Sequence, residues 1–255
     1  MSKEKMLCIL CIALLIIAAT IFLIVHQSRL SDKEFTNQLA ELSFEFTCTA
    51  HTGCMDTEEN SIEAIEAGIK NGAQIVEFDL NFNQSNEPVL SHDSPIGEEV
   101  TLDEAFKKVS EYDNIKVNVD LKSCASLDKI KMIAQKYGIL DRIFFTGVND
   151  EFLESVQKAD LGIPYYLNVN VNSRKKNNSE YMTSLVQKVK NSGTVGINLN
   201  KDNVSAMLVE TFHDNGLLVS VWTVDKKREM QKVVSYLPDN ITTRNPKLLN
   251  EIIYK

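Results

Sequence analysis

Two carboxylates two residues apart, Glu77 and Asp79, lie between two histidines, His51 and His92, in the stretch Cys48–Asp93. On a β-strand alternate side chains share a face, so Glu77 and Asp79 point one way and Val76, Phe78 and Leu80 the other. The apolar face suits packing against helices. The face with two carboxylates is costly to bury, because like charges repel and desolvation adds to the cost. A bound cation resolves both problems, and ligands that are all oxygen suit a hard one, Ca²⁺ or Mg²⁺. The competing reading is an exposed edge strand whose carboxylates are satisfied by water. The apolar run itself, the helix pattern and terminating Gly72 before it, and the flanking histidines weigh against that reading.

A later strand pattern repeats the alternation. Val117, Val119 and Leu121 face one way; Asn118, Asp120 and Lys122 face the other. Asp120 offers the cation a third carboxylate. Lys122 either holds an anion beside it or simply pairs with Asp120. His51, at the end of the first predicted strand, either serves the same point or caps the strand, and His92 is read the same two ways. A cation, a lysine and two histidines around one point suit phosphodiester cleavage. The cation and the lysine neutralise phosphoryl oxygens, and the histidines move protons.

The elements that must position these groups alternate along the chain. Strands are expected near 44–50, 74–81, 115–122, 142–146, 164–170, 195–199, 217–223 and 240–243. Helices are expected over 61–71, 126–137, 150–159, 179–191, 202–215, 226–236 and 246–253, several with glycine stop signals at Gly72, Gly138 and Gly216. Eight strands alternating with helices predict an α/β fold, a (βα)8 TIM barrel, in which the C-terminal strand ends carry the chemistry. A further apolar run, Pro88–His92, follows the Glu77/Asp79 strand too closely for a parallel crossover. It is expected as an antiparallel excursion that brings His92 back over the carboxylates. Thr101–Glu104 then offers a capping box for the next helix.

Length 255, apolar content 44% and charged content 24% are those of one globular domain with a short extension. The net charge of -8 argues against a nucleic-acid partner. Met6–Val25 is continuous apolar sequence broken by Thr20, preceded by Lys3 and Lys5. Roughly 20 such residues cross a bilayer core, so residues 1–30 are read as a single N-terminal transmembrane signal anchor, with a cleaved signal peptide as the rival. Residues 31–43 form a linker helix, and 44–255 the barrel, on the extracytoplasmic side of the membrane. Cys48, Cys54 and Cys124 lie in the barrel and resemble no zinc site; a bridge between Cys54 and Cys124 at the barrel mouth is one option. The loop Arg174–Lys176 reads as solvated or as a contact for an anionic substrate or headgroup.

At these residues the chain resembles the glycerophosphodiester phosphodiesterase family. The matching pieces are His51-Thr52-Gly53, Glu59-Asn60-Ser61, Gly72-Ala73-Gln74, Glu77-Phe78-Asp79, His92-Asp93, Asn118–Lys122, Val221–Asp225 and Ile241–Pro246. The resemblance implies a barrel, a divalent cation (Ca²⁺ or Mg²⁺) on Glu77, Asp79 and Asp120, and an acid/base pair in His51 and His92. It implies hydrolysis of glycerophosphodiesters, lysophospholipids or glycerol-phosphate polymers. In the family's mechanism a substrate hydroxyl attacks phosphorus and a cyclic phosphate is then hydrolysed. A phospholipase-D-like or phosphoinositide-type lyase, and a barrel that has lost activity, are the alternatives. Trp222 reads equally as a core aromatic and as a pocket wall. Three departures stand out. Asp120 replaces the commoner glutamate, the segment between His92-Asp93 and the third-strand motif is short, and Thr52 replaces the arginine that holds phosphate. Arg244, at the end of the last strand and so beside the first, is expected either to reach the same phosphate or to pair with an acid on the rim. Under the first reading Thr52→Arg is expected to rescue loss of Arg244 in part.

Overall fold

A computed structural model describes residues 17, 20, 21, 46–175 and 178–254. Eight parallel strands run β1 (Thr47–Ala50), β2 (Ile75–Phe82), β4 (Lys116–Leu121), β5 (Ile143–Val148), β6 (Tyr165–Asn168), β7 (Gly196–Asn200), β8 (Leu218–Trp222) and β9 (Asn240–Thr243). Each pairs with the next, and β1 pairs with both β2 and β9, which closes the barrel. The ninth strand, β3 (Pro88–Leu90), pairs antiparallel with β2, as its short connection requires.

The helices are α1 (Ile62–Lys70), α2 (Leu102–Ser110), α3 (Leu127–Lys136), α4 (Leu153–Ala159), α5 (Ser179–Asn191), α6 (Ala206–His213), α7 (Lys227–Val234) and α8 (Pro246–Ile253). The Thr101/Glu104 capping box opens α2, with both reciprocal bonds present. Two helices start later than the pattern implied. The Asn149 side chain accepts the N–H groups of Glu151 and Phe152, which makes a turn ahead of α4. Ser205, rather than Asp202, caps α6.

The alternation on β2 has its expected consequence. Phe78 packs outward against Phe106 of α2, with ring centroids 6.2 Å apart and both rings buried. Burial of each such ring contributes about 1.5–3 kcal/mol. α1 lies close on the barrel at Gly68, where an added Cβ would meet Ala50 Cβ at 2.6 Å. With the outer face filled by such contacts, the polar alternates, Glu77, Asp79, Asn118 and Asp120 among them, are left to the inside and the mouth.

The expected membrane span and linker helix lie outside the described residues, apart from Ile17, Thr20 and Ile21, which are helical. Among the described residues no helix is long and apolar enough to cross a membrane. Arg174 and Lys175 are exposed, and Lys176 lies outside the described residues.

Candidate active site

Parallel pairing of β2 with β4 sets Asp79 directly beside Asp120, and Glu77 beside Asn118. Glu77, Asp79 and Asp120 each offer a carboxylate oxygen, all within 4.8 Å of one another. Glu77 is 6% exposed and Asp79 4%. Burial, and then the charges of Asp79 and Asp120, push the Glu77 carboxyl well above its usual range, against the pull of the Thr52 N–H and Lys122. Three converging oxygens at this spacing fit a hard divalent cation, which would relieve that repulsion.

Lys122 meets the cluster from β4's end. Its Nζ lies 2.9 Å from Asp79 Oδ1 and 2.5 Å from Asp120 Oδ2. Burial would lower its pKa, but the Asp120 and Asp79 charges overcome that and raise it, so the ammonium is permanent. Asp120 Oδ1 also sits 2.7 Å from the Thr146 hydroxyl on β5.

The loop after β1 is pinned on two sides. The His51 N–H donates to Thr243 O at 2.9 Å, and the Thr52 N–H to Glu77 Oε2 at 2.9 Å. The His51 ring is 19% exposed, with Nδ1 3.9 Å from Glu77 Oε2. Nδ1 lies 2.9 Å from the Thr52 carbonyl, which can only accept, so Nδ1 carries the proton and Nε2 the lone pair. Burial first, and the Arg244 charge as well, lower the His51 pKa, opposed by the Thr52 carbonyl and by Asp79 and Asp225. His92 follows Ser91, whose N–H donates to the Asp79 carbonyl at 3.0 Å. Its ring is 63% exposed and has Nδ1 3.0 Å from Asp93 Oδ1. It therefore stands at the open rim, held by a neighbouring acid.

All eight residues singled out from the sequence line one cleft of about 700 Å³: His51, Glu77, Asp79, His92, Asp120, Lys122, Trp222 and Arg244. Trp222 is a wall rather than core, being 36% exposed. Arg244 does lie beside the His51 loop, where its carbonyl accepts the Met55 N–H at 2.9 Å. Its guanidinium meets rim acids, Glu59 at 3.0 Å and Asp225 at 3.7 Å. The surroundings of Thr52 bear on the expected rescue by Thr52→Arg. Thr52 is 2% exposed, and its hydroxyl accepts the Asn60 N–H. Arginine at this position would lose that bond. The optional Cys54–Cys124 bridge is not formed: all three barrel cysteines are free.

Several supporting contacts were not read from the sequence, although Glu59, Asn60 and Asp225 lie in its motif pieces. Asn60 holds Asp79, Thr146 holds Asp120, and Glu59 and Asp225 hold Arg244. Asn168 and Asn198 line the far side of the cleft. The polar inward alternation on β5, β6 and β7 was the available signal for three of these.

The chain's class follows from its relatives, which are phosphoric diester hydrolases. A family model described as the Glycerophosphoryl diester phosphodiesterase family matches residues 48–113 and 100–248, and the chain belongs to that family. A glycerophosphodiester phosphodiesterase of Caldanaerobacter subterraneus subsp. tengcongensis is 22% identical over 248 residues, covering 81% of this chain and 97% of its own length. Two solved structures share the fold. The glycerophosphodiester phosphodiesterase of Thermotoga maritima has a TM-score of 0.65 at 18% identity, covering 83% of this chain and 100% of the other. An Oleispira antarctica phosphodiesterase, solved in complex with the product sn-glycerol-3-phosphate, has a TM-score of 0.65 at 18% identity, covering 82% and 97%.

Proposed function

We propose that the chain hydrolyses glycerophosphodiesters to a glycerol phosphate and an alcohol, with His51 and His92 as its acid/base pair. The observation that carries this reading is the convergence of Glu77, Asp79 and Asp120 on one point beside Lys122, inside a cleft that both histidines line. The Oleispira relative's product, sn-glycerol-3-phosphate, supports the glycerol half of the substrate.

Glu77, Asp79 and Asp120 would hold a divalent cation, Ca²⁺ or Mg²⁺, which when bound neutralises charge gathering on the phosphoryl oxygens. Lys122, charged throughout, faces the same oxygens. Arg244 reaches an oxygen on the opposite side once it leaves Glu59, an exposed partner that holds it weakly. His51 Nε2 takes the proton of the substrate hydroxyl next to the phosphodiester. That oxygen bonds to phosphorus while the bond to the second alcohol breaks, and His92 supplies the leaving oxygen with a proton. The cyclic phosphate is then opened by water. His92 takes the water's proton, and His51 returns one to the sugar-alcohol oxygen, so both histidines end as they began.

The apolar sequence Met6–Val25 supports an anchored enzyme whose barrel faces the extracytoplasmic side. Retention in the membrane fraction after a high-salt wash is the expected behaviour.

The test of the activity is phosphorus NMR of a glycerophosphodiester incubated with the full-length chain and a divalent cation. Glycerol phosphate and free alcohol in equal amounts are expected. A cyclic phosphate as the final product marks a lyase instead, and no turnover of any diester overturns the catalytic reading.

A further inference from the structure

The wall of the cleft facing the carboxylates is built from amides, and the reaction so far uses none of them. In the closed ring β2 and β7 stand four strands apart in either direction, on opposite sides of the mouth. β7 supplies Asn198 and its neighbour β6 supplies Asn168, paired directly in register. Asn198 is 6% exposed, and its Nδ2 donates to Asn168 Oδ1 at 3.1 Å. The same oxygen accepts the Gly147 N–H at 3.1 Å. Gly147 sits at φ 75° in an irregular stretch of β5, a conformation that glycine adopts without strain.

These two bonds fix both amides. Asn168 Oδ1 is used twice, so its Nδ2 keeps its protons for the cleft. Asn198 keeps Oδ1 as an acceptor with no partner among the described residues. An amide acceptor that faces the cleft and is not taken up by another protein group is free for a polar ligand. The pair presents a donor and an acceptor side by side, which matches two adjacent hydroxyls: one accepts from Asn168 and its neighbour donates to Asn198. An acyl chain would need a continuous apolar groove. Leu121, Phe152 and Trp222 are the cleft's apolar contributors among the described residues.

We infer that the Asn168–Asn198 pair recognises the expelled alcohol, and that this alcohol is an uncharged polyol with adjacent hydroxyls, such as a second glycerol unit. The inference rests on the hydrolase reading for its assignment of sides. That reading puts the attacking hydroxyl within reach of His51, just after β1, and the leaving oxygen within reach of His92, just after β3; the far end of the expelled alcohol is then the part that extends across the mouth to β6 and β7.

The test compares glycerophosphoglycerol with the ethyl ester of glycerol 3-phosphate, which lacks the second diol. Both are measured on the full-length chain in detergent with Ca²⁺, by hydrolysis and by calorimetric binding. Two hydrogen bonds between uncharged partners predict a preference of about tenfold to hundredfold for the polyol diester, in kcat/KM and in Kd. Asn168→Ala and the near-isosteric Asn198→Leu should each reduce that ratio to about threefold or less. Equal handling of the two diesters by the wild-type chain, which needs no variant, overturns the inference while leaving the hydrolase reading intact. So does a preference that survives both substitutions. Preferential binding of the polyol diester without turnover upholds the amide pair and overturns the hydrolase. If neither diester is bound or cleaved, both readings fall.

Discussion

Asn60 grips Asp79 at two points. Its Oδ1 accepts the Asp79 backbone N–H at 2.9 Å, and its Nδ2 donates to Asp79 Oδ2 at 3.0 Å. Asn60 sits at φ 58°, which asparagine tolerates better than most residues. Its own N–H is bound by the buried Thr52 hydroxyl. The aim of a carboxylate proposed as a cation ligand is thus set by a residue on the loop after β1.

Removing that grip should weaken the cation site without unfolding the barrel. Asn60→Gly keeps the left-handed backbone and deletes only the amide. Loss of such a supporting contact typically costs about 10–100-fold in metal affinity. Calorimetric titration of Ca²⁺ into the variant should show a loss of that order. Unchanged affinity would mean that Asp79 needs no orientation by Asn60.

Arg244 and Thr52 are not interchangeable positions. Arg244→Ala should raise KM for the diester with a smaller effect on kcat, because the guanidinium at the rim serves substrate capture. Thr52→Arg, placed in the Arg244→Ala background, should fail to restore KM. It should lower Tm instead, since position 52 is 2% exposed and its hydroxyl binds the Asn60 N–H. Restored KM with unchanged Tm would show that the position opens to the phosphate after all.

The pH profile carries the signature of His51. Its folded pKa is lowered below 6.5, by burial first and by Arg244 besides. The neutral ring is the form that accepts a proton, so it is already populated at neutral pH. The kcat/KM should therefore rise with pH through a midpoint below 6.5 and not fall again on this group's account. His51→Ala should remove that limb and lower turnover about 10²–10⁴-fold. A limb that persists in the variant belongs to another group.

The three barrel thiols should be inert. Burial pushes Cys48 up to about 12, and Cys54 and Cys124 each to about 11. At pH 8 roughly one molecule in a thousand or fewer carries a thiolate at any of them. Mass spectrometry without reduction should find all three unpaired. Alkylation by iodoacetamide should be slow in the folded chain and fast in denaturant. A Cys54–Cys124 crosslink, or rapid native alkylation, would contradict this.

What could be read from the sequence was whatever a single strand's alternation encodes. Glu77 with Asp79, and Asp120 with Lys122, announce themselves two residues apart, and the apolar alternates between them require helices outside. The order of strands and helices then gives the barrel. What could not be read depends on pairing between distant segments. That Asp79 lies beside Asp120 is a matter of β2–β4 register, and that Asn168 lies beside Asn198 is a matter of β6–β7 register. Asn60 and Thr52 act across a loop whose backbone enters the left-handed region at Gly53, Met55, Asp56 and Asn60, a path no propensity specifies. The surroundings of Arg244 were open for the same reason. Its position followed from barrel closure, but its partners Glu59 and Asp225 come from two other loops.

The central claim, a cation-dependent diesterase centred on Glu77, Asp79 and Asp120, is tested most directly by one rate. Release of glycerol phosphate from glycerophosphoglycerol by the full-length chain is measured in chelator, after adding back Ca²⁺ or Mg²⁺, and for Glu77→Ala under the same conditions. The account predicts loss of activity in chelator, its return with at least one of the two cations, and no return in the variant. Full activity of Glu77→Ala in excess chelator would contradict it.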